Sequence, residues 1–165
     1  MMQSKTSLDV LVRLAQVDEA EVIASILRQA FIGHEPLYTP AAFVATTPTA
    51  SQIEARWSEG LVWVAAQNED VVGTVAAVSK PSGFYVRSMA VLPSARGQGI
   101  AGKLLKEIEN VALEHRYKRL FLSTTPFLHD AIRLYEKFGF VRTSEGPYEL
   151  HGTPLFTMEK FLHAK

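Results

Sequence analysis

The alternation of apolar and polar positions in the first half of the chain predicts a strand, a helix and a pair of strands. Leu8–Leu14 alternates in the manner of a half-buried strand, and Ala20–Phe31 has its apolar residues at helical spacing. Leu61–Ala66 and Val71–Val78 are rich in β-branched residues, and the polar turn at 68–70 between them predicts an antiparallel hairpin.

The second half of the chain continues the alternation of strands and helices. The pattern predicts a strand over Gly83–Leu92, a helix from Gln98 to about His115, a strand over Arg119–Thr124, a helix that begins at Thr125-Pro126 and ends at Gly139, and strands over Phe140–Thr143 and Leu155–Phe161. Gly33–Ser51 is rich in proline and threonine, which favours a mobile loop with short helical pieces. Ile53–Trp57 is expected to finish a second short helix.

A glycine-rich turn, Arg96-Gly97-Gln98-Gly99-Ile100-Ala101-Gly102, joins the fourth predicted strand to the long helix that follows. Glycines let a ligand approach the backbone, and the first turn of a helix offers unpaired N–H groups to an anion. The turn therefore predicts a site for a pyrophosphate, although glycine also serves simply to make a tight bend. It lacks the Lys-Ser/Thr of an ATP-binding loop and the three spaced glycines of a dinucleotide fingerprint.

Two segments resemble the signatures of the GNAT N-acetyltransferase superfamily. Arg96, Gly99 and Ala101 match the acyl-coenzyme A signature R/Q-x-x-G-x-G/A, and residues 131–140 resemble the second signature, A-I-x-L-Y-E-x-x-G-F. Their separation, about one helix and one strand, is that of a βαβ unit. The resemblance covers about residues 8–161 and implies a single domain over residues 1–165.

The resemblance implies an α/β (α+β) fold, the GNAT acyl-CoA N-acyltransferase fold, with a mixed central sheet of about six or seven strands flanked by about four helices. It implies acetyl-coenzyme A as cosubstrate and no metal. In this family a backbone segment, here Met89, Ala90 and Val91, pairs with the pantetheine amides. The expected cofactor-binding turn comprises Arg96, Gly97, Gln98, Gly99, Ile100 and Ala101.

The hypothesis for the chemistry is direct attack by a primary amine on the thioester. A backbone N–H near Val91 would hold the oxyanion, and Tyr135 would protonate the departing thiolate. Outside this motif, Tyr135 would be interpreted as an ordinary amphipathic side chain. The alternative function is a non-catalytic module of the same fold that binds or senses acyl-coenzyme A.

The sequence departs from the family pattern at two places. Phe84, Tyr85 and Arg87 occupy the strand where many members have a glutamate, and Leu128 stands where an asparagine is frequent. A water chain is therefore expected to remove the amine proton, and the weaker alternatives are His34, Glu35, Glu149 and His151. The aromatic residues that either line the acceptor pocket or close the core are Tyr38, Phe43, Trp57, Tyr85 and Tyr148.

Composition narrows the classes of partner. Among the 165 residues, 17 Lys and Arg balance 17 Asp and Glu, so there is no overall basic field for nucleic acid or an anionic membrane. The lack of cysteine excludes thiolate metal sites and an enzyme thioester. With a polar Met1–Ser7 and no long apolar run, we expect a cytoplasmic monomer or homodimer that acts on a small-molecule or peptide amine.

Overall fold

The computed structural model describes residues 9–163, which form eight strands, five α-helices and several short 3-10 helices. The strands are β1 Val10–Leu14, β2 Leu61–Gln67, β3 Asp70–Lys80, β4 Gly83–Val91, β5 Arg119–Thr124, β6 Val141–Arg142, β7 Tyr148–Leu150 and β8 Thr153–Phe161. The α-helices are α1 Ala20–Phe31, α2 Pro40–Thr46, α3 Ala50–Ala55, α4 Ile100–Glu114 and α5 His129–Lys137. Leu8, which was predicted to begin the first strand, lies outside the described residues.

The strands form one mixed sheet in the order β1-β2-β3-β4-β5-β8-β6, and β7 pairs with β8. Among the strand pairs of residues 9–163, β4 and β5 are parallel, because α4 carries the chain across between them, and the other pairs are antiparallel. The predicted α/β class with a mixed sheet is confirmed. Residues 9–163 contain eight strands where about six or seven were expected, and five α-helices where about four were expected.

α1 and α4 cover opposite faces of the sheet. Successive residues of a strand point to opposite faces, and on β2 Val62 and Val64 pack in the cluster of α1 whereas Trp63 and Ala65 pack in the cluster of α4. The buried faces are Ala20, Ile23, Ile26, Leu27 and Ala30 on α1, and Ile100, Leu104, Leu105, Ile108 and Ala112 on α4. These stripes repeat at three and four residues, as the sequence predicted.

The parallel strands β4 and β5 separate after a short contact. They pair only at Phe84 with Leu120 and at Tyr85 with Phe121. Farther along β4 the register with β3 shifts by one residue, and Ser88 adopts a left-handed conformation with φ of 56°. An extra residue of this kind bends a strand, so the end of β4 leaves β5 and a cleft opens in the sheet.

The segment Gly33–Ser51 is mostly helical, which corrects the predicted loop. A 3-10 helix over Ile32–Leu37 leads into α2, and α3 follows. The threonines cap these helices, since the Thr39 hydroxyl accepts from the Ala42 N–H and the Thr49 hydroxyl accepts from the Gln52 N–H. The expected short helical pieces are confirmed, and they occupy most of the segment.

The predicted start of α5 at Thr125-Pro126 is wrong. The helix begins at His129, with Leu128 as its N-cap residue and no side-chain cap. The Thr125 hydroxyl is buried and has no hydrogen-bond partner among the described residues, so it does not cap the helix. Residues 125–128 instead make a turn closed by the Leu128 N–H donating to the Thr125 carbonyl.

Candidate functional site

The cleft between β4 and α5 holds a cavity of about 550 Å³, which we call the large cavity. Six of the ten residues proposed from the sequence line it, namely Met89, Ala90, Val91, Arg96, Ala101 and Tyr135. They come from the end of β4, the glycine-rich turn, the start of α4 and the middle of α5. The fold thus brings both sequence motifs to one cavity.

The remaining four proposed residues do not line the large cavity. Gly97 and Gly99 are exposed at the turn with φ of 83° and 77°, and a Cβ at either position would meet no heavy atom within 4 Å. The Gln98 side chain accepts a hydrogen bond from Gln67 Nε2 at 2.6 Å. Ile100 is buried in the core, so only its backbone can contact a ligand. The glycines leave an open approach to the start of α4.

The N-terminus of α4 differs from those of α2 and α3 because no side chain among residues 9–163 caps it. Its N-cap residue is Gly99, and no acidic residue lies in its first turn. The first intrahelical bond is donated by the Lys103 N–H to the Gly99 carbonyl, which leaves the preceding N–H groups of the helix free for a ligand. A free helix N-terminus that opens toward a cavity favours an anion.

Arg96 links the glycine-rich turn to α1. Its Nη2 donates to the carbonyl of Ala30, in the last turn of α1, at 3.2 Å. A guanidinium has five N–H donors, so this contact leaves most of them available to a ligand in the large cavity. The cation and the free N-terminus of α4 therefore give this part of the cavity a positive potential.

Several residues of the large cavity had no functional assignment from the sequence. Arg133 and Asp130 line it from α5 and form an ion pair, and Ala30 and Phe31 line it from the end of α1. Arg133 occupies a variable position of the second motif, so the motif carried no signal for it. The end of α1 reaches the site only through tertiary packing, which the sequence pattern does not describe.

A second cavity of about 310 Å³, the small cavity, lies beside the first. Four residues line both cavities, namely Phe31, Met89, Leu128 and Tyr135. Of the five aromatic residues proposed for an acceptor pocket, Tyr38 and Tyr85 line the small cavity, whereas Phe43, Trp57 and Tyr148 line neither cavity. Tyr135 thus stands where two separate spaces meet.

Two arginines line the small cavity, which the sequence did not predict. Arg56 Nη1 donates to Ser88 Oγ at 2.8 Å, and Arg87 Nη2 donates to a carboxylate oxygen of Glu59. Burial, and then the nearby charge of Arg87, lower the pKa of Arg56 from its ordinary value. The sequence pattern does not predict this pair of arginines, because Arg56 belongs to a short 3-10 helix and Arg87 to a strand distant in the chain.

Tyr135 is 8% exposed and packs against Phe140, with 5.9 Å between the ring centroids. Burial raises the pKa of its phenol well above the ordinary value, and nearby Tyr38 raises it further. The hydroxyl is therefore protonated at neutral pH and can act as a hydrogen-bond donor to developing negative charge. A higher pKa also makes it a weaker acid toward a thiolate.

This raised pKa predicts the pH dependence of turnover. A phenol titrates at about 10 in water, and a raised pKa moves deprotonation of Tyr135 to higher pH. We therefore expect no alkaline loss of kcat from Tyr135 below pH of about 10. The measurement is thiol release against pH for the natural protein and for Tyr135→Phe. An alkaline limb below that pH that is present in the natural protein and absent in the variant would contradict the assignment.

The four weaker candidates for removal of a proton are dispersed. His34 lines the large cavity, and its ring centroid is 6.3 Å from that of Phe127. Glu35, Glu149 and His151 are exposed and line neither cavity. The geometry therefore favours none of them as a base in the small cavity.

Two general features of residues 9–163 bear on the site. They contain no cluster of three His, Cys, Asp or Glu residues that could hold a metal ion. None of the helices in this part of the chain combines the length and apolar character that a membrane crossing requires.

Comparison with known proteins identifies relatives of the chain. The sequence profile of the acetyltransferase (GNAT) family matches residues 26–140. An uncharacterized N-acetyltransferase of Escherichia coli, YjgM, is 30% identical over 134 residues, which is 78% of this chain and 80% of that protein. The chain spans about 40% of the length of several mammalian N-acetyltransferases that it matches, for example 40% of rat N-acetyltransferase 8B.

Solved structures share the fold. The PaiA N-acetyltransferase of Thermoplasma acidophilum in complex with coenzyme A has a TM-score of 0.78 at 15% identity, over 93% of this chain and 99% of that one. A GNAT acetyltransferase of Elizabethkingia anophelis with acetyl-CoA bound has a TM-score of 0.68 at 19% identity, over 93% and 98%. At these identities the likeness establishes the fold alone.

Proposed function

Because this chain is an acyltransferase that belongs to the acetyltransferase (GNAT) family, we propose that it transfers an acetyl group from acetyl-coenzyme A to a primary amine. One observation carries the proposal: a large cavity that opens toward a free helix N-terminus meets a small cavity at Tyr135. Two substrates that react at one point need two spaces that join there.

The large cavity fits the long, anionic cosubstrate. Gly97 and Gly99 leave room for a diphosphate against the backbone, and the free N–H groups of α4 and the Arg96 guanidinium supply positive potential. Residues 86–91 of β4 have no partner on β5, so the backbone of Met89–Val91 is available to the pantetheine amides. When bound, acetyl-coenzyme A supplies an electrophilic acetyl thioester and a sulfur leaving group.

The small cavity holds the amine in this proposal. The transfer forms one C–N bond, breaks the C–S bond of the thioester, releases coenzyme A as a thiol and requires the amine to lose one proton. Tyr135 lines both cavities, so its hydroxyl can donate to the sulfur as negative charge develops there. A backbone N–H near Val91 is proposed to stabilise the carbonyl oxygen.

The amine must be neutral to attack. None of the described residues that line the small cavity is acidic, so a water chain through its hydroxyl-bearing walls is proposed to accept the proton. Arg56 and Arg87 assist, because positive charges near an ammonium group lower its pKa and favour the neutral amine. No glutamate on β4 is needed in this scheme.

The test is an assay of the purified protein with acetyl-coenzyme A and a panel of primary amines, in which free thiol is measured and the acetylated product is identified by mass spectrometry. We expect amine-dependent thiol release with one acetyl group added per thiol. Heat of binding with acetyl-coenzyme A, but no turnover with any amine, would favour the non-catalytic binding module instead.

A further inference from the structure

The charge of the small cavity indicates the class of amine that it takes, an inference that rests on the function proposed above. The charged residues among those lining it are Arg56 and Arg87, and both are cations. Such a cavity repels an acceptor with a second ammonium group, for example a polyamine, and attracts an acceptor that carries an anion.

Both guanidiniums retain free donors. Arg56 contacts Ser88 through one nitrogen, and Arg87 contacts Glu59 through one nitrogen. The Nε of Arg87 is buried and has no acceptor among the described residues. A buried donor without a partner costs free energy, so the contact with Glu59 leaves the guanidinium of Arg87 incompletely satisfied. If the ion pair of Arg87 with Glu59 had only a structural role, its buried donors would be expected to have acceptors within the protein.

The charge of the arginines is only partly compensated. Glu59 pairs with Arg87, but the Glu59 side chain is 50% exposed and does not line the small cavity. Among the described residues no carboxylate forms an ion pair with Arg56, whose hydrogen-bond partner is the neutral Ser88 hydroxyl, and the nearby charge of Glu59 offsets only part of its own. Burial, and then the like charge of Arg87, lower the pKa of Arg56 and so disfavour its charged form. An anion bound beside Arg56 would favour the charged form again.

We propose that the acceptor is an amino acid, a primary amine that carries a carboxylate, and that Arg56 and Arg87 bind this carboxylate in the small cavity. Arginine matches a carboxylate with paired N–H donors. The cavity volume of about 310 Å³ suits a small molecule. Phe31, Leu150 and Leu155 give the walls an apolar part that suits an apolar side chain. Tyr135 lines the same cavity, so the amino group can face the point of transfer.

Matched acceptors test this proposal. Leucine, leucinamide and 3-methylbutylamine share one side chain, and only leucine carries a carboxylate; phenylalanine, phenylalaninamide and phenethylamine form a second set. With the natural protein and acetyl-coenzyme A, we expect kcat/KM for the better of the two acids to exceed that of its amide and its amine by about tenfold or more, because hydrogen bonds to charged groups are among the stronger ones.

Variants assign the preference to the arginines. We expect Arg56→Gln and Arg87→Gln each to raise KM for the acid about 10- to 100-fold and to lower the ratio of kcat/KM for the acid to kcat/KM for the amide by a similar factor. Arg142→Gln, an exposed arginine of β6 that lines neither cavity, is the matched control and is expected to keep the preference. If Arg56→Gln does not fold, Arg56→Lys replaces it in the test, because lysine keeps the positive charge. We expect Arg56→Lys to raise KM for the acid by less than Arg56→Gln would.

The outcomes separate the two proposals. Acetylation of the amides or plain amines as efficiently as of the acids, or an unchanged preference in the arginine variants, would overturn the amino acid proposal and leave the acetyltransferase function standing. If none of the acceptors leads to release of thiol from acetyl-coenzyme A, both proposals are overturned.

Discussion

Replacing Tyr135 with phenylalanine is expected to lower the rate of acetyl transfer about 100-fold, the lower end of the range for a general acid. The lower end applies because the ordinary pKa of a phenol, about 10, already exceeds that of the departing thiol, about 8.5, and burial raises the pKa of Tyr135 further, so complete proton transfer to the sulfur is unfavourable. What the phenol supplies is a hydrogen bond to the developing negative charge. Single-turnover kinetics measure this step without product release.

The effect of Tyr135→Phe on stability is expected to be small. The substitution removes one oxygen and keeps the ring that packs against Phe140. Tyr117→Phe is the matched control, since Tyr117 lies outside both cavities and its hydroxyl donates to Ser79 Oγ at 2.6 Å. We expect the control to keep its rate and its affinity for acetyl-coenzyme A. A Tyr135→Phe protein with an unchanged single-turnover rate would remove Tyr135 from the mechanism.

Elements set by local periodicity could be predicted from the sequence. α1 and β5 have the predicted bounds, Ala20–Phe31 and Arg119–Thr124, because each buries one regular set of apolar positions. The glycine-rich turn was also predictable, since a left-handed backbone at Gly97 and Gly99 requires a residue type that the sequence displays.

Capping signals were less reliable because they depend on where the side chain points. Thr39-Pro40 and Thr125-Pro126 are the same pair of residues, yet Thr39 caps α2 and the buried Thr125 hydroxyl caps no helix. The surroundings of each threonine decide the difference, and those come from residues distant in the chain. Thr39, for example, also donates from its hydroxyl to the His151 carbonyl at 2.7 Å.

The small cavity could not be predicted for the same reason. Arg56 and Arg87 approach each other because a 3-10 helix follows α3 and because β4 carries a bulge at Ser88. Neither feature produces a periodic pattern in the sequence. The large cavity was easier to predict, since two motifs, each continuous in the chain, supply Arg96, Ala101 and Tyr135, half of the proposed residues that line it.

Replacing Gly99 with alanine is expected to weaken binding of acetyl-coenzyme A about 10- to 100-fold, as measured by titration calorimetry, where each tenfold change corresponds to about 1.4 kcal/mol. The new Cβ would project into open space beside the free N–H groups of α4, where the diphosphate is proposed to lie. At φ of 77° the alanine also strains the turn, by about 1–2 kcal/mol.

Gly139→Ala separates the loss of space from the strain. Gly139 also has a positive φ, 97°, but it follows α5 and lines neither cavity. The atoms nearest to its new Cβ belong to the flexible end of the Lys160 side chain, the first of them at 3.3 Å. Both variants should therefore unfold at lower temperature than the natural protein, and only Gly99→Ala should lose affinity. If Gly99→Ala and Gly139→Ala bind acetyl-coenzyme A with equal affinity, the diphosphate does not contact this turn. Backbone strain alone would then explain the effect of Gly99→Ala.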